Sequence, residues 1–299
     1  MCTRQLLFYV GVLFLTCCSR MNNSVLADVE SLIANEQYDS AYSIVSSIDG
    51  QSLDSEGAKA LFNLLLTQTS YQTYHTPPPD SLIDYSIDYF KETGDKRRLA
   101  DSYYYKAAGL FERGGTHKAI LLAKKAEETA TEVGDISQLY KIAAWLCNTN
   151  KQFGNHILQL EQAQRSLKYA QASGKRKWLA YSYYRVGMAF LDLEEADSTK
   201  HYIEMTDTLL DAVDSNDIPY FLGSLGYIYK DSDPKRAEGY LDRSLALLPL
   251  THTYENLADI CLDEGNEDKA YELWQRALML DDGAPKGNVL YNILEYDFD

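Results

Sequence analysis

The sequence predicts an all-α chain built as an α-solenoid of stacked antiparallel helical hairpins, and two observations predict it. The first is local. In the stretch 250–280, LTHTYENLADICLDEGNEDKAYELWQRALML, Tyr254, Ala258 and Cys261 fall at i, i+4 and i+7. After Gly265 the spacing recurs in Ala270, Trp274 and Ala277. That is two amphipathic helices joined by a short acidic turn. Ala258, Ala270 and Ala277 let the helices approach closely, while Tyr254 and Trp274 fill the space beside them. The second observation is recurrence. Gly94, Gly134 and Gly174 stand 40 residues apart, and the residues after each glycine keep the same phase. Leu99, Leu139 and Leu179 correspond, then Tyr103, Ala143 and Tyr183, then Ala107, Cys147 and Gly187, then Leu110, Asn150 and Phe190. Gly114 and Gly154 continue the series, and Glu194 breaks it.

A further unit contains Leu222, Leu225-Gly226, Tyr229, Ala237 and Leu241, and it closes at Pro249. The period starts near 40 and shortens to about 33 towards the C-terminal end. The difference, about six residues, is nearly two helical turns, which lengthens hairpins without changing how they stack. In order, these residues resemble the tetratricopeptide repeat, whose pattern is an aromatic, Leu-Gly or Leu-Ala, a large residue, Gly, Ala, an aromatic and Ala. Leu257-Ala258 stands at the Leu-Gly step.

From the start of the chain, MCTRQLLFYVGVLFLTCCSR reads as an export signal. Arg4 supplies the positive charge, and Leu6 to Leu15 form an apolar run too short to span a membrane. Leu15-Thr16-Cys17-Cys18 resembles the bacterial lipobox, with Leu three residues before the lipidated Cys18 and a small residue before it. Cys17 fits less well, because Phe14 would then hold the Leu position. The expected layout is a signal peptide over 1–17, a polar spacer over 18–24 and a solenoid over 25–299. The solenoid comprises about seven hairpins plus a final unpaired or capping helix. Loss of 1–17 removes Arg4 and no acid, so the formal charge of −16 becomes −17. The expected location is the periplasmic side of a bacterial membrane, held by the lipid alone.

The first hairpin is predicted from Leu26 to Asn35 and from Tyr38 to Ile48, closed by Asp49-Gly50. A long helix comes next, over about Ser55 to Tyr74 with Leu61, Leu64 and Leu65 inward, and Pro77, Pro78 and Pro79 stop it. Asp80 or Ser81 is expected to cap the next helix, with Asp84 completing a capping box, and Ile83, Ile87 and Phe90 form its stripe. Here DSLIDYSIDYFKETGD resembles the second repeat of tetratricopeptide lipoproteins and sensor-regulators common in Bacteroidetes. That group implies an N-terminal signal ahead of several long repeats; some members continue into a transmembrane helix, a coiled coil and a DNA-binding domain. At the other end, Pro285 is expected to open a last apolar helix, GNVLYNILEYDFD.

Several chemistries are disfavoured. A charge of −16 opposes nucleic-acid contact, which needs a basic surface to displace counterions. Lys96-Arg97-Arg98 and Lys175-Arg176-Lys177 sit at equivalent turns and read as solvated. Cys147 and Cys261 fall at small-residue positions of first helices, which suits a core better than a disulfide or a metal. His75, His117, His156, His201 and His252 share no spacing. No phosphate loop, nucleophile elbow or paired-carboxylate motif is present, and Glu194-Glu195 and Asp281-Asp282 read as solvated turns. Neither enzyme activity nor a cofactor is expected.

A binding surface is expected instead. The tetratricopeptide resemblance implies a groove lined by the first helix of each repeat, through residues one after the packing aromatic and one after the Gly/Ala. Those offsets give Tyr104, Ala144, Tyr184, Gly223 and Glu255, then Ala108, Asn148, Met188, Tyr227 and Asp259. One turn further lie Phe111, Lys151, Leu191, Lys230 and Leu262, with Tyr181 and Tyr220 near helix starts. The candidate binding residues are Tyr104, Phe111, Tyr181, Tyr184, Met188, Tyr220 and Tyr227, with Tyr184 expected to be exposed. The groove should be aromatic in the middle and acidic towards the C-terminal end. Three readings are open: a lipid-anchored scaffold for a protein or peptide, the sensor portion of a regulator whose effector lies beyond 299, or a glycan-binding uptake lipoprotein.

Overall fold

The computed structural model describes residues 24–298, with side chains to 296. Cys18 and the expected signal segment lie outside them. Among the described residues every regular element is helical. The chain divides into two compact units, through Ile142 and from Ala143 onward.

The first unit holds α1 (24–34), α2 (Tyr38–Ser46), a 3₁₀ turn (Gly50–Ser52), α3 (Glu56–Gln72), α4 (Asp80–Thr93), α5 (Lys96–Glu112), α6 (Thr116–Val133) and the start of α7 (Ile136–Gln152). Leu26 and Val29 of α1 bury against Ala41 and Val45 of α2 and Phe62 and Leu65 of α3. Helices α5 and α6 pack on one another, and their buried positions include small ones: Ala107 and Ala108 on α5, and Ala119, Ala123, Ala126 and Ala130 on α6. Small residues at three- and four-residue spacing keep one face of each helix flat enough for close packing. Ile83, Ile87 and Phe90 are buried as the stripe predicts. The expected cap differs. Pro79 precedes α4 without a side-chain cap, because Asp80 pairs with Arg113 and Asp84 with Lys106. Both carboxylates reach a neighbouring helix's cation rather than α4's own amides.

The second unit holds the rest of α7, then α8 (His156–Ser173), α9 (Arg176–Leu191), α10 (Ala196–Asp207), a 3₁₀ turn (Leu210–Ala212), α11 (Ile218–Tyr229), α12 (Pro234–Leu247), α13 (Thr251–Asp263), α14 (Glu267–Met279) and α15 (Gly287–Phe298). Cys147, Ala163, Leu167, Val186 and Ala189 form one core. Leu222, Leu225, Leu241, Leu257, Trp274 and Val289 belong to another. Cys147 and Cys261 are buried free thiols, and burial pushes the Cys147 thiol up to about 11. Gly187 and Gly226 mark close approaches between helices. A Cβ on Gly187 would lie 2.9 Å from Ile203 Cδ1, and one on Gly226 only 2.4 Å from Leu241 Cγ. The shorter C-terminal period has a direct cause: α11 to α14 have 12 to 14 residues, against 17 and 18 in α5 and α6.

The turns within hairpins, that between α11 and α12 excepted, share one device. Gly114 N–H bonds to Phe111 C=O and Gly115 N–H to Leu110 C=O, which closes α5 in a Schellman motif. The same pair of bonds recurs around Tyr74, Gly154, Glu194 and Gly265, each with positive φ. Glu194 therefore keeps the turn although it breaks the glycine pattern, and it accepts a left-handed backbone at φ 60°.

Candidate functional site

Helices α9, α11 and α13 open their respective repeats in the second unit, α15 follows the last of them, and the residues expected to bind are unevenly exposed. Tyr184 is not exposed. Its ring stacks on Phe221 with centroids 4.2 Å apart, and its hydroxyl shares a 2.9 Å hydrogen bond with Ser224. The Tyr184 side of α9 is thus covered by α11, which corrects the expectation that Tyr184 is exposed. Met188, also part-buried, packs on the same core. Tyr181 sets its ring edge-on to Phe221 and donates its hydroxyl to Asp217, so it too joins repeats. In the first unit Tyr104 is only 6% exposed and lies edge-on to Tyr105; it is a core residue. Phe111 is part-buried. Tyr220 and Tyr227 remain open, 46% and 44% exposed.

Tyr227 leads into a cleft of about 360 Å³ between α11, α13 and α15. Tyr227 of α11 and Lys230 just past its end, Glu255, Asn256 and Asp259 of α13, and Asn288, Tyr291 and Asn292 of α15 line it. The groove offsets name four of these, Tyr227, Lys230, Glu255 and Asp259, and the expected acidic C-terminal character is present in the two carboxylates. They miss the α15 residues because the last helix has no repeat motif to align, and they miss Asn256 because it lies between the two offsets. Tyr291 is 64% exposed. Its helix turns Val289, Ile293 and Tyr296 inward on the core, so Tyr291 must project from another side of the same helix.

The charges in the cleft are unequally matched. Lys230 Nζ lies 2.6 Å from Asp259 and 5.2 Å from the Tyr227 ring centre. Burial alone would lower the Lys230 ammonium, but the bond and charge of Asp259 hold it above its ordinary value. Glu255 has no hydrogen bond or ion pair among the described residues. Burial, and then the neighbouring Asp259 charge, push its carboxyl up.

Asp282 is not the solvated turn residue that the sequence suggests. It accepts from the Thr251 N–H at 2.7 Å and the Thr251 hydroxyl at 2.9 Å, which closes the N-terminus of α13 from 31 positions away. Lys286 bonds to Thr251 Oγ1 and to the Ala277 carbonyl, both at 2.7 Å. Burial would raise the Asp282 carboxyl, but these bonds, one from the Ala284 N–H and the Lys286 charge hold it far below the usual range. The node fixes where α15, one wall of the cleft, leaves the α14 end.

The basic clusters are also engaged. Lys96 pairs with Glu132 at 2.7 Å and Arg97 with Asp135 at 2.9 Å. In the second unit Arg176 pairs with Asp211 and Lys177 with Asp214, each at 2.9 Å. Their charge is matched between successive turns rather than offered to phosphate. Among the described residues no three His, Cys, Asp or Glu are grouped to hold a metal, and no helix is long and apolar enough to cross a membrane.

Antiparallel hairpins, small residues at the contacts and a face of first helices define a tetratricopeptide-like α-solenoid. Solved structures share this fold. The apo quorum sensor NprR from B. thuringiensis has a TM-score of 0.65 and 15% identity over 94% of this chain and 82% of that one. NprR in complex with its cognate peptide NprX gives a TM-score of 0.58 and 15% identity over 92% and 84%. Apo RapI gives 0.60 and 12% over 92% and 99%. No family model matches the chain, and no curated protein does either.

Proposed function

We propose that this chain is a non-catalytic scaffold that binds a protein or peptide segment on the first-helix face of its second unit. The observation that carries this reading is the cleft of α11, α13 and α15, where Tyr227 and Tyr291 stand in solvent beside polar groups. Exposed rings beside hydrogen-bonding groups are the usual composition of a binding surface, since rigid aromatics bury area at small entropic cost. The peptide complex of NprR supports the choice of a peptide over a small molecule. A library of random dodecapeptides panned against the full chain tests it. Binders should be recovered, and Tyr227→Ala with Tyr291→Ala should weaken them by on the order of tenfold or more. Binders indifferent to both changes would sink the reading.

A second reading, the sensor portion of a signalling regulator, is favoured by the likeness to a protein described as a quorum sensor. It uses the same cleft and differs in what binding would control.

The scaffold is further proposed to be exported and anchored to the periplasmic side of a bacterial membrane through lipid on Cys18. The motif Leu15-Thr16-Cys17-Cys18 supports this. Mass spectrometry of membrane-purified protein should find an acylated N-terminal Cys18, and Cys18→Ala should move the protein to the soluble fraction. Unchanged attachment of the variant would remove the anchor.

A further inference from the structure

We infer that the cleft between α11, α13 and α15 selects a peptide segment bearing a lysine or arginine side chain, with Glu255 as its counter-ion. The inference rests on the peptide-binding reading and goes further in naming the side chain that is recognised.

Pairing the charges around the cleft leaves one group over. Asp259 is matched by Lys230 at 2.6 Å. Asp282 is matched by Lys286, by the Thr251 N–H and hydroxyl, and by the Ala284 N–H. Glu255, on α13 between them, has no such partner among the described residues. A neutral peptide laid over it would withdraw a carboxylate from water with only the charge of Lys286, which makes no ion pair with it, in exchange. An anionic peptide would add repulsion. A single cation removes both penalties.

Asn256 is the independent observation. It is 9% exposed, lines the cleft, and its side-chain amide makes no hydrogen bond among the described residues. That amide keeps its access to water through the cleft and has no partner in the protein, so its position fits a site that a ligand completes. Its oxygen can accept from an ammonium or a guanidinium held at the adjacent Glu255.

The walls suit the same guest. Lys230 already places an ammonium 5.2 Å from the centre of the Tyr227 ring, so the cleft holds one cation against an aromatic face. Tyr291, 64% exposed, offers a second ring. The volume of about 360 Å³ has room for a long side chain and part of its backbone. A net charge of −16 also favours the approach of a basic segment over an acidic one.

The test uses the full chain and a library of random dodecapeptides. Sequences recovered on the parent protein should share Lys or Arg at one position, and replacing that residue by norleucine should weaken binding about tenfold. Glu255→Gln should lose the same factor towards the original peptide and nothing more towards the norleucine version. Glu255→Asp should recover part of it, and Glu264→Gln, an exposed change at the end of the same helix, should have no effect. Circular dichroism of Glu255→Gln should show an unchanged or raised melting temperature, because a desolvated charge has been removed. Binders without a basic preference, or an equal norleucine loss on Glu255→Gln, would overturn the inference and leave peptide binding standing. Failure to recover any binder would overturn both.

Discussion

Tyr184 shows how one ring can be read two ways. Its place on α9 is what a groove residue would have, and Tyr104 and Tyr227 at related steps strengthen that expectation. The neighbour that decides the matter is Phe221, 37 positions later, which covers the ring. No sequence offset reports that contact, because it depends on how far α11 is set against α9. Tyr184→Ala should therefore cost about 2–4 kcal/mol, towards the lower range for emptying an aromatic site since the residue is only part-buried. A denaturant midpoint unchanged by the substitution would return Tyr184 to the surface. Asp101 offers a residue-scale prediction in the first unit. Burial pushes its carboxyl up to about 6; Asp135 and Glu30 add to the rise, while Lys141 and Arg97 oppose it. The raised value means that folding favours the protonated acid. This stability is fully present below about pH 4, the unfolded value, and is lost as pH rises through 6. Asp101→Asn should thus gain on the order of 1–2 kcal/mol over the parent near pH 7 and little near pH 4. Equal stability of the two proteins across that range, by urea titration, would contradict the assignment.

At the scale of elements, the helices were legible and their ends were less so. The small positions Ala107, Gly187 and Ala258 sit where the pattern puts them, and the glycines at 94, 134 and 174 take the left-handed caps that end α4, α6 and α8. Caps made by distant residues escaped the sequence. Asp282 was hidden because its partner, Thr251, is brought to it only when α14 folds back along α13. Asp282→Ala should cost about 1–2 kcal/mol, the usual loss of a helix cap. Hydrogen exchange should also quicken first in the opening turn of α13 and in the 280–286 loop. A loss spread evenly over the unit, without that local signature, would argue against a capping role. Glu194 carries the converse lesson: a broken glycine series did not break the turn, because backbone hydrogen bonds hold Glu194 itself in the left-handed conformation.

For the whole molecule, the solenoid class could be read because periodicity survives substitution. Forty-residue recurrence of small and large residues constrains helix contacts many times over, so no single exception, such as Asn150 for Leu110, obscures it. The candidate site could be read only in part. Repeats define which helices form the first-helix face, and they supplied Tyr227, Lys230, Glu255 and Asp259. The walls contributed by α15, and the isolation of Glu255, arise where the repeat ends and pattern no longer applies. The central claim is that a peptide is held across the first-helix face of the second unit. The most direct measurement is hydrogen exchange by mass spectrometry on the full chain, free and saturated with a peptide recovered from the random library. Protection is predicted in α11, α13 and α15, and it should disappear with Tyr227→Ala and Tyr291→Ala together. Protection confined to α12 and α14, or to the first unit, would contradict the account.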